Sequence, residues 1–322
     1  MAVDRDYAFP PPRRGMDHEH YDWSPLNDGR RTLAWPGNAR VALCVIVSLE
    51  HAEWRRPEGH YQVANLAGGY GQGPFPEVTA WSHREYGNRV GIFRLLGVLD
   101  GHGIRPTVAI DELTAENYPF LVRHLRERGC EFIAHGVSAN RMITSRMSED
   151  EERAYIQSTI AVLARATGRT PAGWLGPDYG ESARTPALLA EAGIRYVCDW
   201  VNDEQPYRMK VAGGELHALP ITLPLDDINA LWDRRVEIDR YGEMIRQSFD
   251  TLYRDGESSG RLLVLNLHPF LVGQPFRIGV LDAALGHIVR HPGVWAATGS
   301  EIIAATIGTG GGTSGGTGTV GG

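Results

Sequence analysis

A chain of 322 residues, 42% hydrophobic and 22% charged, has enough apolar mass for a sizeable core, and single barrels of repeated strand-helix units reach this length. Its formal charge of −7 leaves no basic footprint for a phosphate backbone, which sets nucleic acid aside and suits a small neutral or cationic substrate. No apolar stretch reaches the length of a membrane span, and Met1 to Pro12 carries charges and prolines where a secretory signal needs an apolar core, so the cytoplasm is the expected compartment.

Residues 1–40 read as an irregular N-terminal arm. Its run from Asp17 to Trp23 is rich in His, Tyr and Trp, and it is expected to dock on the body or on a second subunit of a homo-oligomer. From residue 41 onward, short apolar runs without alternation recur: Val41 to Val47, Thr107 to Ile110, Glu131 to Ala134, Gly173 to Leu175, Tyr196 to Cys198, Ala218 to Ile221, Leu262 to Leu267 and Val294 to Ala297. Such runs suit strands buried on both faces.

Helical patterns separate many of them, over Arg84 to Leu99, Ser148 to Thr167, Ser182 to Ala192, Tyr241 to Arg254 and Gly279 to Val289. The second is the clearest, with Ser148 and Glu151 spaced as a capping box and Gly168 after its end. Strand alternating with helix predicts an α/β fold with a mostly parallel sheet. Seven or eight such units predict a closed or nearly closed barrel over residues 41–305, an open doubly wound sheet being the alternative. Residues 306–322 are dominated by Gly, Thr and Ser and are expected to form a disordered tail.

The segment Gly68 to Gly73 lacks the lysine of a phosphate cradle, and no GxGxxG opens a helix after the first strand, so it reads as a mobile substrate-side loop. Cys44, Cys130 and Cys198 lie among apolar residues and read as reduced core thiols.

Barrel active sites are assembled at the C-terminal strand ends, and here those positions are repeatedly polar. The first strand runs into Glu50 and His51, the third into His135, the fifth into Asp199 and the Leu262 to Leu267 strand into His268. Imidazoles and carboxylates gathered on one rim suit general acid-base hydrolysis. Glu50 equally suits an ion pair with Arg55, Arg56 or Arg141, and Trp174 a core position, while Asp227, after the run ending at Ile221, can reach the rim but better suits a turn in Asp226-Asp227-Ile228-Asn229.

The succession Ser48-Leu49-Glu50-His51, Glu131 to Gly136, Gly173-Trp174-Leu175-Gly176-Pro177, Asp199-Trp200 and Leu265-Asn266-Leu267-His268-Pro269 resembles the polysaccharide deacetylase superfamily (carbohydrate esterase family 4) over residues 35 to 305. Glu85 to Gly91, Asp203 to Tyr207, His268 through Ile278 and Pro292 to Thr298 look like the branch that contains metal-independent bacterial allantoinase and cyclic imide hydrolases. The resemblance implies a distorted (β/α) barrel of seven to eight strands, frequent homo-oligomers, and a hydrolase of carbon-nitrogen bonds other than peptide bonds. The substrate it implies is a small cyclic amide, imide or ureide.

By the same resemblance His268 acts as general acid with Asp199 orienting it, Glu50 is the general base, and His135 positions water or polarises the carbonyl. Backbone amides near Gly176 would hold the oxyanion, Trp174 would wall a planar ring, and His51, Asn140 and Asn202 would complete substrate binding. A metal-dependent deacetylase carries paired aspartates after its first strand and two histidines four residues apart. Here Glu50-His51 and His135-Ala139 stand at those positions, leaving at most Glu50, His51 and His135 for zinc. No cofactor is therefore expected. The alternatives are a zinc-dependent polysaccharide or N-acetyl deacetylase and a non-catalytic small-molecule-binding member of the family.

Overall fold

The computed structural model describes residues 18–23, 25, 30, 32–55, 76 and 78–310. The Gly68 to Gly73 loop, residues 1–17 of the arm and residues 311–322 of the expected tail lie outside them. Nine strands form one sheet: β1 (Val41–Leu49), β2 (Thr107–Ile110), β3 (Glu131–Ala134), β4 (Gly173–Trp174), β5 (Tyr196–Val197), β6 (Tyr207–Met209), β7 (Leu216–Ala218), β8 (Arg261–Leu267) and β9 (Val294–Ala296). The order is β6-β7-β5-β4-β3-β2-β1-β8, parallel throughout except for the antiparallel β6-β7 pair.

The sheet curls into the expected distorted barrel. β1 pairs with β2 only over Ile46 to Leu49, and β9 occupies the same edge lower down, against Val41 to Leu43. Opposite, Thr222 N–H donates to the Val264 carbonyl (3.2 Å) and Leu262 N–H to the Glu204 carbonyl (2.9 Å), which ties the β7 side of the sheet to β8.

Alternation along the strands divides the core in two. Ala42, Cys44, Ile46, Ala109, Ile133, Leu175, Cys198, Leu262 and Val264 fill the barrel interior, while Leu43, Val45, Val47, Val108, Leu263 and Leu265 pack under the helices. Continuing the interior register past the strand ends reaches Glu50, Asp111, His135 and His268. The β1 run is apolar and buried at every position because both of its faces are covered.

The helices are α1 (Val78–Tyr86), α2 (Ile92–Gly101), α3 (Glu112–Asn117), α4 (Pro119–Glu127), α5 (Glu149–Thr167), α6 (Thr185–Glu191), α7 (Ile238–Asp255), α8 (Pro269–Val272), α9 (Ile278–Val289) and α10 (Gly299–Gly310). On α5 the capping box forms, and Gly168 closes the helix at φ 77°. The helix α10 takes in residues 306–310, which sequence reasoning places in the tail.

The single helix expected over Arg84 to Leu99 is two helices joined by a widened turn at Gly87–Gly91. There the chain meets α8: a Cβ on Gly91 would lie 2.1 Å from the Pro269 carbonyl oxygen, next to His268. Gly91→Ala is accordingly expected to destabilise the protein by about 1–3 kcal/mol, the usual range for overpacking, and to lower activity by displacing α8. Chemical denaturation beside an activity assay checks both effects.

The described aromatic residues of the arm dock on the body. His18, His20 and Tyr21 pack around Trp200 at ring separations of 5.4–5.9 Å, and Tyr21 meets Tyr207 at 5.4 Å. Among the described residues no helix is long and apolar enough to cross a membrane.

Candidate active site

Glu50, buried at the end of β1, is the centre of the rim. His135 from the end of β3 places Nε2 3.3 Å from Glu50 Oε1, and His268 from the end of β8 places Nε2 4.0 Å from the same oxygen. Arg84 of α1 approaches Glu50 Oε2 at 3.8 Å, and Asn88 donates to the Glu50 carbonyl at 3.0 Å. Of the arginines that sequence reasoning offers Glu50, Arg141 pairs instead with Glu53, at 2.6 Å. Buried Glu50 Oε2 accepts no hydrogen bond among the described residues, so it is open to a donor from water or substrate.

Both imidazoles are oriented from behind. The His135 Nδ1 contacts the Leu175 carbonyl at 2.5 Å, so it carries the proton and donates. His268 Nδ1 lies 2.6 Å from Asp227 Oδ1, while the His268 backbone N–H donates to Asp227 Oδ2 at 2.8 Å. Burial disfavours a charged His268, but the Asp227 carboxylate outweighs it, with help from Glu50 and Asp226, and holds the imidazole up at about 9. Burial in turn raises Asp227 to about 6 against the pull of His268, so the pair is ionic between those limits. His135 is likewise raised above the usual histidine value, burial being overcome by Glu50 and the Leu175 carbonyl. For Glu50 burial works against ionisation, yet Arg84 and the two imidazoles prevail and hold its carboxyl well below the usual carboxylate range.

Asp199 does not orient His268. It accepts the Gly176 N–H at 2.8 Å and shares its surroundings with Glu181, which the Trp200 indole N–H contacts at 3.1 Å. Burial raises both carboxyl groups, Asp199 to about 6 and Glu181 well above its usual value, where the charge of Asp199 adds to the rise. The Gly176 amide is thereby occupied and is not a free oxyanion donor. Trp174 is also corrected: it is fully buried, and its strand register turns it under the helices against Tyr155 of α5, while Leu175 faces the barrel.

His51 points away from Glu50, as the next residue on an extended chain must. Its N–H donates to Asp111 (2.6 Å), its Nδ1 lies 3.9 Å from Glu85, and burial lowers its pKa despite that carboxylate. Asn140 accepts from the Glu53 N–H at 2.6 Å and so ties the segment after β1 to the loop after β3. Asn202 is exposed and accepts from the Tyr207 hydroxyl, and it has no contact with Glu50, His135 or His268 among the described residues.

Asp227, which the sequence favours as a turn residue, backs His268, and four further neighbours escaped sequence reasoning: Asp226, Arg84, Asp111 and Asp178. Asp226 accepts from Tyr179 and Asn266, both at 2.7 Å, and Asn266 accepts from Ser48 at 2.7 Å, which forms a polar layer below the imidazoles. Asp111 caps α3 through the Thr114 N–H, and burial lifts its carboxyl to about 7. Asp178 sits at φ 53° in the Pro177–Tyr179 turn, a left-handed conformation rare for a non-glycine residue and often tied to function. Burial and the charges of Glu50 and Asp233 push it up to about 6, against Arg84. An aromatic group of His83, Trp232 and Phe270 borders His268, the Phe270 ring lying 5.9 Å from the imidazole.

The residues that the sequence leaves for zinc, Glu50, His51 and His135, do not converge on one point. Zinc requires three ligands of suitable type with converging lone pairs, whereas His51 is turned away and Ala139 stands where a second histidine is needed. Among the described residues, Asp226, Asp227 and His268 do bring donor atoms within 4.8 Å of one another. Their oxygens and Nδ1 are already engaged with Asn266, Tyr179, Asn229 and each other.

The polysaccharide deacetylase family model matches residues 83–197. A Schizosaccharomyces pombe protein assigned as a polysaccharide deacetylase is 26% identical over 298 residues, covering 85% of this chain and 92% of the relative. Among solved structures, a Pseudomonas aeruginosa PAO1 protein assigned as a polysaccharide deacetylase superposes with a TM-score of 0.78 at 25% identity, covering 87% of this chain and 94% of the other. PuuE allantoinase superposes equally well, at a TM-score of 0.78 and 25% identity, covering 90% of this chain and 96% of that one.

Proposed function

We propose, from its likeness to the polysaccharide deacetylase family over residues 83–197 and to PuuE allantoinase, that this chain opens a small cyclic amide, imide or ureide by acid-base activation of water, without a resident metal. The observation that carries this reading is the Glu50 carboxylate set between two imidazoles, 3.3 Å from His135 and 4.0 Å from His268, the latter backed by Asp227 at 2.6 Å.

In this mechanism the attacking water donates to the open Glu50 Oε2 and gives that carboxylate its proton as the carbon-oxygen bond forms. The His135 imidazole and the Arg84 guanidinium stabilise the charge that develops on the carbonyl oxygen. As the carbon-nitrogen bond breaks, the His268 imidazolium protonates the departing nitrogen from Nε2. Protonated Glu50 then returns its proton to neutral His268 across the 4.0 Å gap, a downhill transfer given their proton affinities. Trp232 and Phe270 offer a flat apolar wall for a planar ring.

The test is hydrolysis of a panel of succinimide, glutarimide, hydantoin, dihydrouracil and allantoin, beside N-acetylglucosamine oligomers, before and after removal of metals with a chelator. Ring opening that survives chelation is the expected result. Deacetylation restored only by zinc would place the chain with the metal-dependent deacetylases, and binding of ring compounds without turnover would make it a non-catalytic member.

A further inference from the structure

A second group of titratable side chains lies away from the Glu50 rim. Asp250 of α7, His287 in the last turn of α9 and His291 in the connection to β9 each offer a donor atom within 4.8 Å of the other two. Since His291 leads into the N-terminal end of β9, the group belongs to the end of the barrel opposite the acid-base site.

Its internal geometry is ordered for coordination. His291 Nδ1 lies 2.8 Å from the His287 carbonyl, a contact it can make only by donating, so the neutral ring keeps its lone pair on Nε2. His287 Nε2 faces Asp250 Oδ1 at 2.7 Å. The two imidazole centroids are 4.8 Å apart, and Phe249 packs against both, at 5.8 and 4.9 Å, as an apolar floor. Asp250 and His287 are 51% and 27% exposed, which leaves room for a water as a further ligand and freedom for the slight spreading that coordination requires.

We propose that Asp250, His287 and His291 form a binding site for a divalent transition-metal ion of the zinc type, linking α7 to α9. Two imidazole nitrogens and one carboxylate oxygen are a donor set that zinc accepts at bond lengths of about 2.0–2.2 Å, with water in the fourth place. Coordination requires imidazole lone pairs that protons compete for, so affinity falls as pH is lowered. The site does not depend on the hydrolase reading, and no step of that chemistry passes through it.

The test uses the full chain, dialysed against chelator and titrated with zinc by calorimetry and with cobalt(II) by visible absorption. One equivalent is expected to bind, with proton release and a rise in melting temperature. His291→Ala and Asp250→Asn, each confirmed as folded by circular dichroism, are expected to weaken binding at least about tenfold, whereas His135→Ala leaves it unchanged. The proposal is overturned if the wild type shows no saturable binding, if binding survives the His287→Ala/His291→Ala double change, or if His135→Ala alone abolishes it.

Discussion

Turnover of the His268→Gln protein is expected to fall by about 10²–10⁴-fold on any ring substrate the wild type opens, the range for loss of a general acid, with KM little changed. Glutamine keeps a polar side chain at the same strand end but has no proton to give the departing nitrogen. The pH profile supplies the independent reading. His268 is pushed up to about 9, so its acid form predominates below that value, and wild-type kcat is expected to decline as pH rises through it. His268→Gln removes that limb. Steady-state kinetics from pH 6 to 10 measure both effects, and unchanged turnover would remove His268 from the mechanism.

The Asp227→Asn protein is expected to lose roughly 10²-fold in turnover, with its alkaline limb moved to lower pH. An amide still accepts a hydrogen bond from His268, but it cannot stabilise the imidazolium by charge. Stability should respond in the same sense. A histidine whose folded pKa is raised contributes stability that is complete below its unfolded value near 6.5 and is lost as pH rises through the folded value. Urea denaturation of the wild type should thus show stability declining from about pH 6.5 to about 9, with a smaller decline in Asp227→Asn. Asp199→Asn is the control. Its carboxylate serves the Gly176 N–H and the Glu181 carboxyl, so the alkaline limb should stay in place. An alkaline limb that moved in Asp199→Asn and not in Asp227→Asn would return the orienting role to Asp199.

The contrast between these two aspartates marks what a sequence reading reaches. Both follow strand-like runs, and both are candidates for the same rim. Asp199 sits directly on a strand end that the apolar pattern reveals, whereas Asp227 stands six residues beyond the strand-like run that ends at Ile221, in a stretch that reads as a turn. Only the path of that turn beneath β8 carries Asp227 to the imidazole. The Trp174 register is a related case: β4 has two paired residues, too few for alternation to declare which of Trp174 and Leu175 faces the barrel. β6, three residues long and antiparallel, and the short consecutive helices α3 and α4 likewise lack the length that makes a period recognisable. The helix α10 continues into glycine-rich sequence that composition alone assigns to a tail.

The long apolar runs of β1 and β8, the capped helix α5 and the polar residues Glu50, His135 and His268 at strand ends were determined by the sequence itself. Local periodicity and capping depend on neighbours a few residues apart, and a barrel gathers its C-terminal strand ends on one face. Which of those residues meet was decided by tertiary structure alone. Asp227 reaches His268 across 41 residues, Arg84 reaches Glu50 from α1, and His51 is turned toward Glu85. Contacts of that kind depend on strand register and loop path, which the whole packed barrel sets and no local pattern encodes.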